Sequence, residues 1–213
     1  MIPISTPTDD AALVRRLLAG DEQAFTALVE RLGPGLFRVA RSLVGDHAAA
    51  EEVVQESWTA ALDGLRGFQE RASLKTWLFR ILVNRAKTRR QREARSVPFS
   101  SLEADEGERG PTVDPSRFVA DGHWASPPHG WDYDTPERLA LRAEARGRIA
   151  EALAALPASQ RAVVTLRDVE GFESHEVCSV LEISESNQRV LLHRGRGRLR
   201  AALEEYLDRG GPC

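Results

Sequence analysis

SLKTWLFRILVNRAKTRRQREAR, residues Ser73 to Arg95, is the stretch whose reading decides the fold of this chain. On a helix of 3.6 residues per turn, Leu74, Trp77, Leu78, Ile81, Leu82 and Ala86 share one apolar face. Arg80, Asn84, Lys87 and Gln91 form a stripe on the other side. Arg89, Arg90, Arg92 and Arg95 load the end of the helix with positive charge, where its dipole accepts it. Such charge most often marks a solvated face on an ordinary core helix. Here an amide, an unbroken basic end and a polar loop just upstream (Gln69 to Ser73) stand together. That combination suits a surface that holds a phosphate backbone. Alone, the helix gives a lean toward nucleic acid.

Toward the N-terminus the chain reads as helix from Asp9 to Leu65. Asp21 caps a helix with Phe25, Leu28, Val29 and Leu32 on one face. Gly33, Pro34 and Gly35 are expected to break it, with Leu36, Val39, Ala40 and Leu43 on a second helix that Gly45 ends. Asp46 caps the next, which turns Ala50, Val53, Val54, Trp58, Ala61, Leu62 and Leu65 inward. Its other side carries Glu51, Glu52, Gln55, Glu56 and Thr59, which composition alone assigns to a solvated surface.

Beyond the basic helix the character changes. From Ser96 to Arg138, prolines and glycines alternate and no helical or strand period survives. A structureless stretch of this size exceeds the limit of about 12–15 residues expected inside a compact domain. It predicts two domains and a linker. The linker is acidic (Glu103, Asp105, Glu106, Glu108, Asp114, Asp121, Asp132, Asp134, Glu137) and holds Phe118, Trp124, Trp131 and Tyr133. Idle disordered linkers carry few aromatics, so this one is expected to order in a partner's positive channel. An intramolecular cover over the chain's own basic domains is the rival.

Helix returns after Thr135. Pro136 starts a helix carrying Leu139, Ile149, Leu153 and Leu156, and Ala158 to Gly171 forms the next. Ser174 is expected to cap the short helix SHEVCSVL. Glu182, Ile183 and Ser184 make a tight turn, and Ser184 caps ESNQRVLLHRGRGRLRAALEEYL. Two helices joined by a turn of about three residues, the second one basic, make a helix-turn-helix pattern. Leu192, Gly195, Leu199 and Leu203 form the inward stripe of the long helix, joined by Gln188 and Tyr206. Arg189, Val190, His193, Arg194 and Arg196 face outward, and arginine is the side chain best shaped for guanine O6 and N7. Ser184, Ser186 and Asn187 stand at the helix start, where free N–H groups bind phosphate. Gly195 and Gly197 each weaken the helix by about 1 kcal/mol against alanine.

Composition narrows the remaining classes. At 213 residues the chain can bury a real core in one large domain or two small ones. A formal net charge of −3 excludes a uniformly basic coat, and acid and base are segregated along the chain. The cysteines, Cys178 and Cys213, have no zinc-ligand spacing, and Cys178 is expected to be a buried structural thiol. His47, His123, His129, His175 and His193 are scattered, and no catalytic triad, metal set or Gly-rich phosphate loop appears. Neither a catalytic residue, a metal, a cofactor nor a small-molecule substrate is expected. The first residues lack a secretory pattern and no stretch is apolar enough to span a bilayer, so a soluble, cytoplasmic protein without membrane insertion is expected.

The two DNA-directed regions together carry a resemblance. GFQERASLKTWLFRILVNRAKTRRQR resembles domain two of bacterial RNA polymerase sigma factors of the extracytoplasmic-function (ECF) group. ALPASQRAVVTLRDVEGFESHEVCSVLEISESNQRVLLHRGRGRLR resembles domain four of the same group. The resemblance implies an all-α fold of two small helical domains, the second a helix-turn-helix, joined by the long acidic linker. Its expected limits are a disordered N-terminus at 1–8, domain two at 9–96, linker at 97–138, domain four at 139–207 and a tail at 208–213. It implies that Glu52, Gln55 and Glu56 dock on core RNA polymerase. It further implies that the loop Gln69 to Leu74, with Gln69, Arg71, Ser73 and Leu74, captures a flipped base of the minus-ten element beside Asn84. Arg80 and Lys87 would hold the strand. Arg189, Val190, His193 and Arg194 match positions that read the minus-thirty-five element, with Ser184, Ser186, Asn187 and Arg196 alongside. Trp77 belongs to the core and not to a strand-separating wedge. The linker matches a segment that threads the RNA exit path. Core polymerase and promoter DNA, duplex and single strand, are the implied partners, with an anti-sigma protein as a further one. A stand-alone helix-turn-helix regulator is the alternative.

Overall fold

The computed structural model describes residues 7–93 and 147–208, and every regular element among them is helical. The N-terminal domain consists of α1 (Pro7–Leu18), α2 (Glu22–Val44), α3 (His47–Gly64), a single 3₁₀ turn (Leu65–Gly67) and α4 (Leu74–Glu93). The C-terminal domain begins with the helical residues 147–155, here α5. It continues through α6 (Ala158–Val164), one π-helical turn (Thr165–Val169), α7 (Ser174–Leu181) and α8 (Glu185–Asp208). The expectations for the linker, for residues 1–6 and for the tail from 209 fall outside the described residues.

Local chemistry sets most boundaries. Asp21 Oδ1 accepts the Ala24 N–H at 3.0 Å, and Asp46 Oδ2 accepts the Ala49 N–H at 2.8 Å. These bonds to the charged form hold both carboxyls below their ordinary value. Gly45 ends α2 at φ 79°, a conformation that glycine adopts freely. Pro34 does not break α2, contrary to expectation: Glu22 to Val44 is one helix with Pro34 inside. The missing N–H removes one backbone bond, but Leu28, Leu32, Leu36, Val39 and Leu43 are buried along a single face, and that packing keeps the helix continuous.

The N-terminal domain packs α3 and α4 against α2. Ala50, Val53, Leu36, Leu78 and Leu82 fill its centre. Phe25 meets Trp58 edge-on with centroids 5.7 Å apart, and Trp77 lies on the core margin against Phe68 at 5.3 Å. The reading of Trp77 as a packed side chain agrees with this placement.

The two domains share one continuous hydrophobic core. The seam was not visible in the helical periodicity. Phe79 and Val83, off the expected apolar face of α4, are completely buried, whereas Trp77 and Ile81 are half-buried. Phe79 packs against Phe172 of the C-terminal domain with centroids 4.9 Å apart, an aromatic pairing worth about 0.5–1.5 kcal/mol beyond its area. Leu191, also outside the expected inward stripe, is buried facing Leu43 and Arg90 of the N-terminal domain. α4 is therefore apolar on two sides, one for each domain.

Candidate nucleic-acid interface

The loop from Phe68 to Ser73 is fixed from both ends. At its start Phe68 donates its N–H to Leu65 O at 3.1 Å. At its end Ser73 Oγ accepts the Thr76 N–H at 3.0 Å and so caps α4. A second cap comes from far away: Asp10 of α1, buried, accepts the Leu74 N–H at 2.8 Å. Between these anchors Gln69 and Arg71 are exposed, and Glu70 takes the left-handed conformation at φ 54°. Leu74 itself requires a correction. Its side chain is 2% exposed and belongs to the core, so it offers no surface to a base.

Along α4, Arg80 and Asn84 are exposed and Lys87 is half-buried. The structure brings two of the three onto the C-terminal domain. Lys87 Nζ lies 3.0 Å from Glu182 Oε2 and donates to Leu181 O at 3.2 Å. Arg80 Nη2 reaches Glu182 Oε1 at 3.3 Å. Lys87 foremost, then Arg80, holds the Glu182 carboxyl below its ordinary range. Further up the helix, Ser73 Oγ bonds Thr76 Oγ1 at 2.8 Å, and Thr76 Oγ1 donates to Glu176 Oε1 at 2.7 Å. Lys75 Nζ donates to Glu170 O at 2.7 Å and stands 4.2 Å above the Phe172 ring. Its burial lowers its pKa, partly offset by Glu170 and Glu176. Arg38 of α2 meets the same glutamate, with Nε 2.6 Å from Glu170 Oε1.

The sequence pattern missed Arg38, Lys75, Thr76, Glu170, Glu176 and Glu182. Their one visible sign was that Lys75 and Lys87 are the only lysines of the chain.

On α3, Glu52, Gln55 and Glu56 are exposed along one open groove, together with Thr59, Asp63 and Arg85. Glu52 forms an ion pair with Arg89 of α4, so the acidic face and the basic helix are joined directly.

In the C-terminal domain, α7 and α8 form the expected helix-turn-helix. Glu173 stands at the N-cap position of α7 where Ser174 was expected, and its N–H donates to Glu176 Oε2 at 2.9 Å. Ser174 instead donates its hydroxyl to the buried Gln188 Oε1 at 3.1 Å, which ties the two helices together. Ser184 caps α8 by accepting the Asn187 N–H at 3.2 Å, and its hydroxyl bonds that of Ser186 at 3.1 Å. Arg189, Val190, His193 and Arg194 are exposed on one face. Arg189 also bonds Glu185 at 3.3 Å, one turn earlier on its own helix. Arg196 is a correction. It makes a two-pronged ion pair with Asp168, at 2.9 and 2.6 Å, and its side chain is 18% exposed. That geometry ties α8 to the π-helical turn, so Arg196 does not face freely outward as Arg189 and Arg194 do. Gly195 sits where α8 crosses α6, and a Cβ there would stand 2.7 Å from Val164 Cγ2. Close helix contact thus explains the glycine. Cys178 is half-buried, not fully, and burial raises its thiol pKa.

Among the described residues no cluster could hold a metal, and no helix is long and apolar enough to cross a membrane.

Comparison with known proteins places this architecture. Sigma-70 region 2 matches residues 28–96 and sigma-70 region 4 matches residues 146–199. The ECF RNA polymerase sigma-E factor of Escherichia coli K12 is 30% identical over 196 residues, covering 91% of this chain and 93% of that protein. The chain belongs to the ECF sigma factors. The members of that family are transcription initiation factors. The RNA polymerase sigma-H factor of Pseudomonas aeruginosa is 28% identical over 202 residues, 95% of this chain and 97% of that one. Two solved structures share the fold. CnrH in complex with the cytosolic domain of CnrY aligns with TM-score 0.55 and 24% identity, covering 92% of this chain and 97% of that one. The sigma factor RpoE in complex with the anti-sigma factor NepR, from Bartonella quintana, aligns with TM-score 0.56 and 22% identity, covering 84% and 96%.

Proposed function

We propose that this sigma factor binds core RNA polymerase, reads a minus-thirty-five element with α8 and captures a flipped base of the minus-ten element in the loop ahead of α4. The observation that carries the reading is the outward face of α8. Arg189, Val190, His193 and Arg194 stand together on the second helix of a helix-turn-helix, and Val190 is an exposed aliphatic at 45%. Arginine suits guanine edges and an aliphatic side chain suits a thymine methyl group. Ser184, Ser186 and Asn187 at the helix start suit a phosphate.

Exposed Gln69 and Arg71 beside Ser73, with Asn84 on the flank of α4, supply polar groups for an extruded base. Extrusion costs a few kcal/mol of unstacking, offset by pocket and phosphate contacts, so opening needs no nucleotide hydrolysis. Glu52, Gln55 and Glu56 form the docking face for the polymerase. The domain limits 9–96 and 139–207, and the acidic linker at 97–138, belong to the same reading. Relatives of known structure were solved with CnrY and NepR, which supports an anti-sigma protein as a further partner here.

The test is reconstitution. Core polymerase plus this chain should transcribe from specific promoters, and failure to bind core polymerase at all would end the reading. Tight operator binding by the isolated chain as a dimer would instead favour a stand-alone regulator.

A further inference from the structure

Inside the helix-turn-helix one polar side chain is sealed between the two helices. Gln188, on the inward side of α8, is 1% exposed. Its Oε1 accepts the Ser174 hydroxyl at 3.1 Å, and its Nε2 is buried with no acceptor among the described residues. A primary amide has a donor end and an acceptor end, and Ser174 answers only one of them. A half-turn about the terminal side-chain bond exchanges the ends, and the other is then left over. Buried polar groups are nearly always paired, and one that is not destabilises the fold. A methionine or leucine of similar volume would fill the same space without that penalty. The amide is therefore retained against stability, in the helix pair that carries the outward face of α8.

Ser174 is where this interior amide meets the surface. It is the first residue of α7 and is half-buried, with exposed Glu173 and His175 on either side. The first N–H groups of a helix have no partner within it, and together with the dipole they favour an anion. In a helix-turn-helix the first helix crosses the DNA backbone, so the anion there is a phosphate. The two carboxylates nearby are already engaged. Glu173 stands 3.5 Å from Arg167 Nη1, and Glu176 accepts the Glu173 N–H at 2.9 Å and the Thr76 hydroxyl at 2.7 Å. The start of α7 alone is an ordinary helix end; what singles it out is the buried amide aimed at its hydroxyl.

The orientation of the amide decides what Ser174 can do. With Oε1 toward it, the hydroxyl hydrogen is directed inward. With Nε2 toward it, Ser174 Oγ accepts, and the hydrogen is released to donate outward. Hydrogen bonds in series polarise one another, so a hydroxyl that accepts from an amide is a stronger donor to phosphate. We infer that Gln188 is a positioning residue for DNA: its amide turns over as the minus-thirty-five duplex docks, and Nε2 then holds the Ser174 hydroxyl on a backbone phosphate. This rests on the function proposed above. It adds a phosphate contact on α7 to the one at the start of α8, relayed from a residue that never touches DNA.

The test measures binding of the holoenzyme to a fluorescent duplex carrying the minus-thirty-five element of a promoter it serves. Wild type, Gln188→Leu, Gln188→Met, Ser174→Ala and the double variant Ser174→Ala with Gln188→Leu are compared. Each apolar variant of Gln188 should weaken binding about three-fold or more, within the range of coupling between groups in contact. The melting temperature of the free chain should meanwhile hold or rise. Ser174→Ala should weaken binding at least as much, and the double variant no more than Ser174→Ala alone. Duplexes with single backbone phosphates replaced by neutral methylphosphonates locate the contact: at one position the difference between wild type and Gln188→Leu should disappear. Wild-type affinity of both apolar variants overturns the inference, as does a lower melting temperature for both. Additive loss in the double variant, or a loss that survives every phosphate replacement, makes Gln188 a packing residue and overturns it too. Promoter-dependent transcription by the same wild-type holoenzyme reports separately on the function proposed above.

Discussion

Asp10 accepts the Leu74 N–H at 2.8 Å across 64 residues of sequence, so a side chain of the first helix caps the helix proposed to hold the minus-ten strand. The bond is buried, and no other side chain of α1 reaches that position in the described contacts. Asp10→Ala leaves a buried donor without its acceptor, which costs about 1–3 kcal/mol. Thermal unfolding should show that loss. Asp10→Asn keeps an acceptor oxygen and should recover most of the stability and the rate of promoter opening. Equal damage from alanine and asparagine would mean that the charge matters and the hydrogen bond does not.

Gly195 and Gly147 make opposite forecasts for the same substitution. Inside a helix, alanine is favoured over glycine by about 1 kcal/mol. At Gly147 of α5 the new methyl would meet nothing within 4 Å, so Gly147→Ala should stabilise the chain. At Gly195 it would press on Val164 Cγ2 at 2.7 Å, and overpacking of that kind costs about 1–3 kcal/mol. Gly195→Ala should therefore lower the denaturant midpoint. A gain at both sites would show that α8 can slide on α6.

What the sequence made legible follows from what periodicity can carry. The caps at Asp21, Asp46 and Ser184, and most of the inward faces of α3 and α4, came from local chemistry that acts within one helix turn, but Leu62, expected inward on α3, is 48% exposed. Phe79, Val83 and Leu191 did not, because they are apolar residues on faces already assigned to solvent. Only the partner domain makes them inward. Pro34 misled for the opposite reason: its local penalty is real, but burial along the whole of α2 outweighs it. At the candidate site, exposed Arg189 and Arg194 were readable as surface. Arg196 was not, since its partner Asp168 lies 28 residues earlier. The interdomain glutamates carry no helical signature at all.

Arg189 and Arg196 can be separated by experiment. Arg189 is 76% exposed and bonded only within α8 in the described contacts, so Arg189→Ala should spare stability. It should cost about 1–3 kcal/mol at one promoter position and relax selectivity there. Arg196→Ala breaks a two-pronged pair at low exposure, which should lower the melting temperature and leave base preference untouched. Transcription from a library randomised over the minus-thirty-five region, beside calorimetry, reads both. Uniform loss on all sequences for Arg189→Ala would make it a phosphate contact.

The contact of Glu182 with Lys87 and Arg80 also sets a pH dependence. Its carboxyl is held below the ordinary 4.5 when the domains are closed and returns toward that value when they part. A carboxyl of lowered pKa supports the closed state fully above the ordinary value and withdraws that support as pH falls through the lowered one. Small-angle scattering of the free chain should therefore show a constant radius above about pH 5.5 and expansion below about pH 4.5, with helicity retained by circular dichroism. Glu182 is 47% exposed, so the effect is modest and high salt should mimic it. Glu182→Gln should lose that part of the acid response. A wild-type radius that stays constant to pH 3.5 while helicity holds would show that the apolar seam of Phe79 and Phe172 closes the domains without the glutamate.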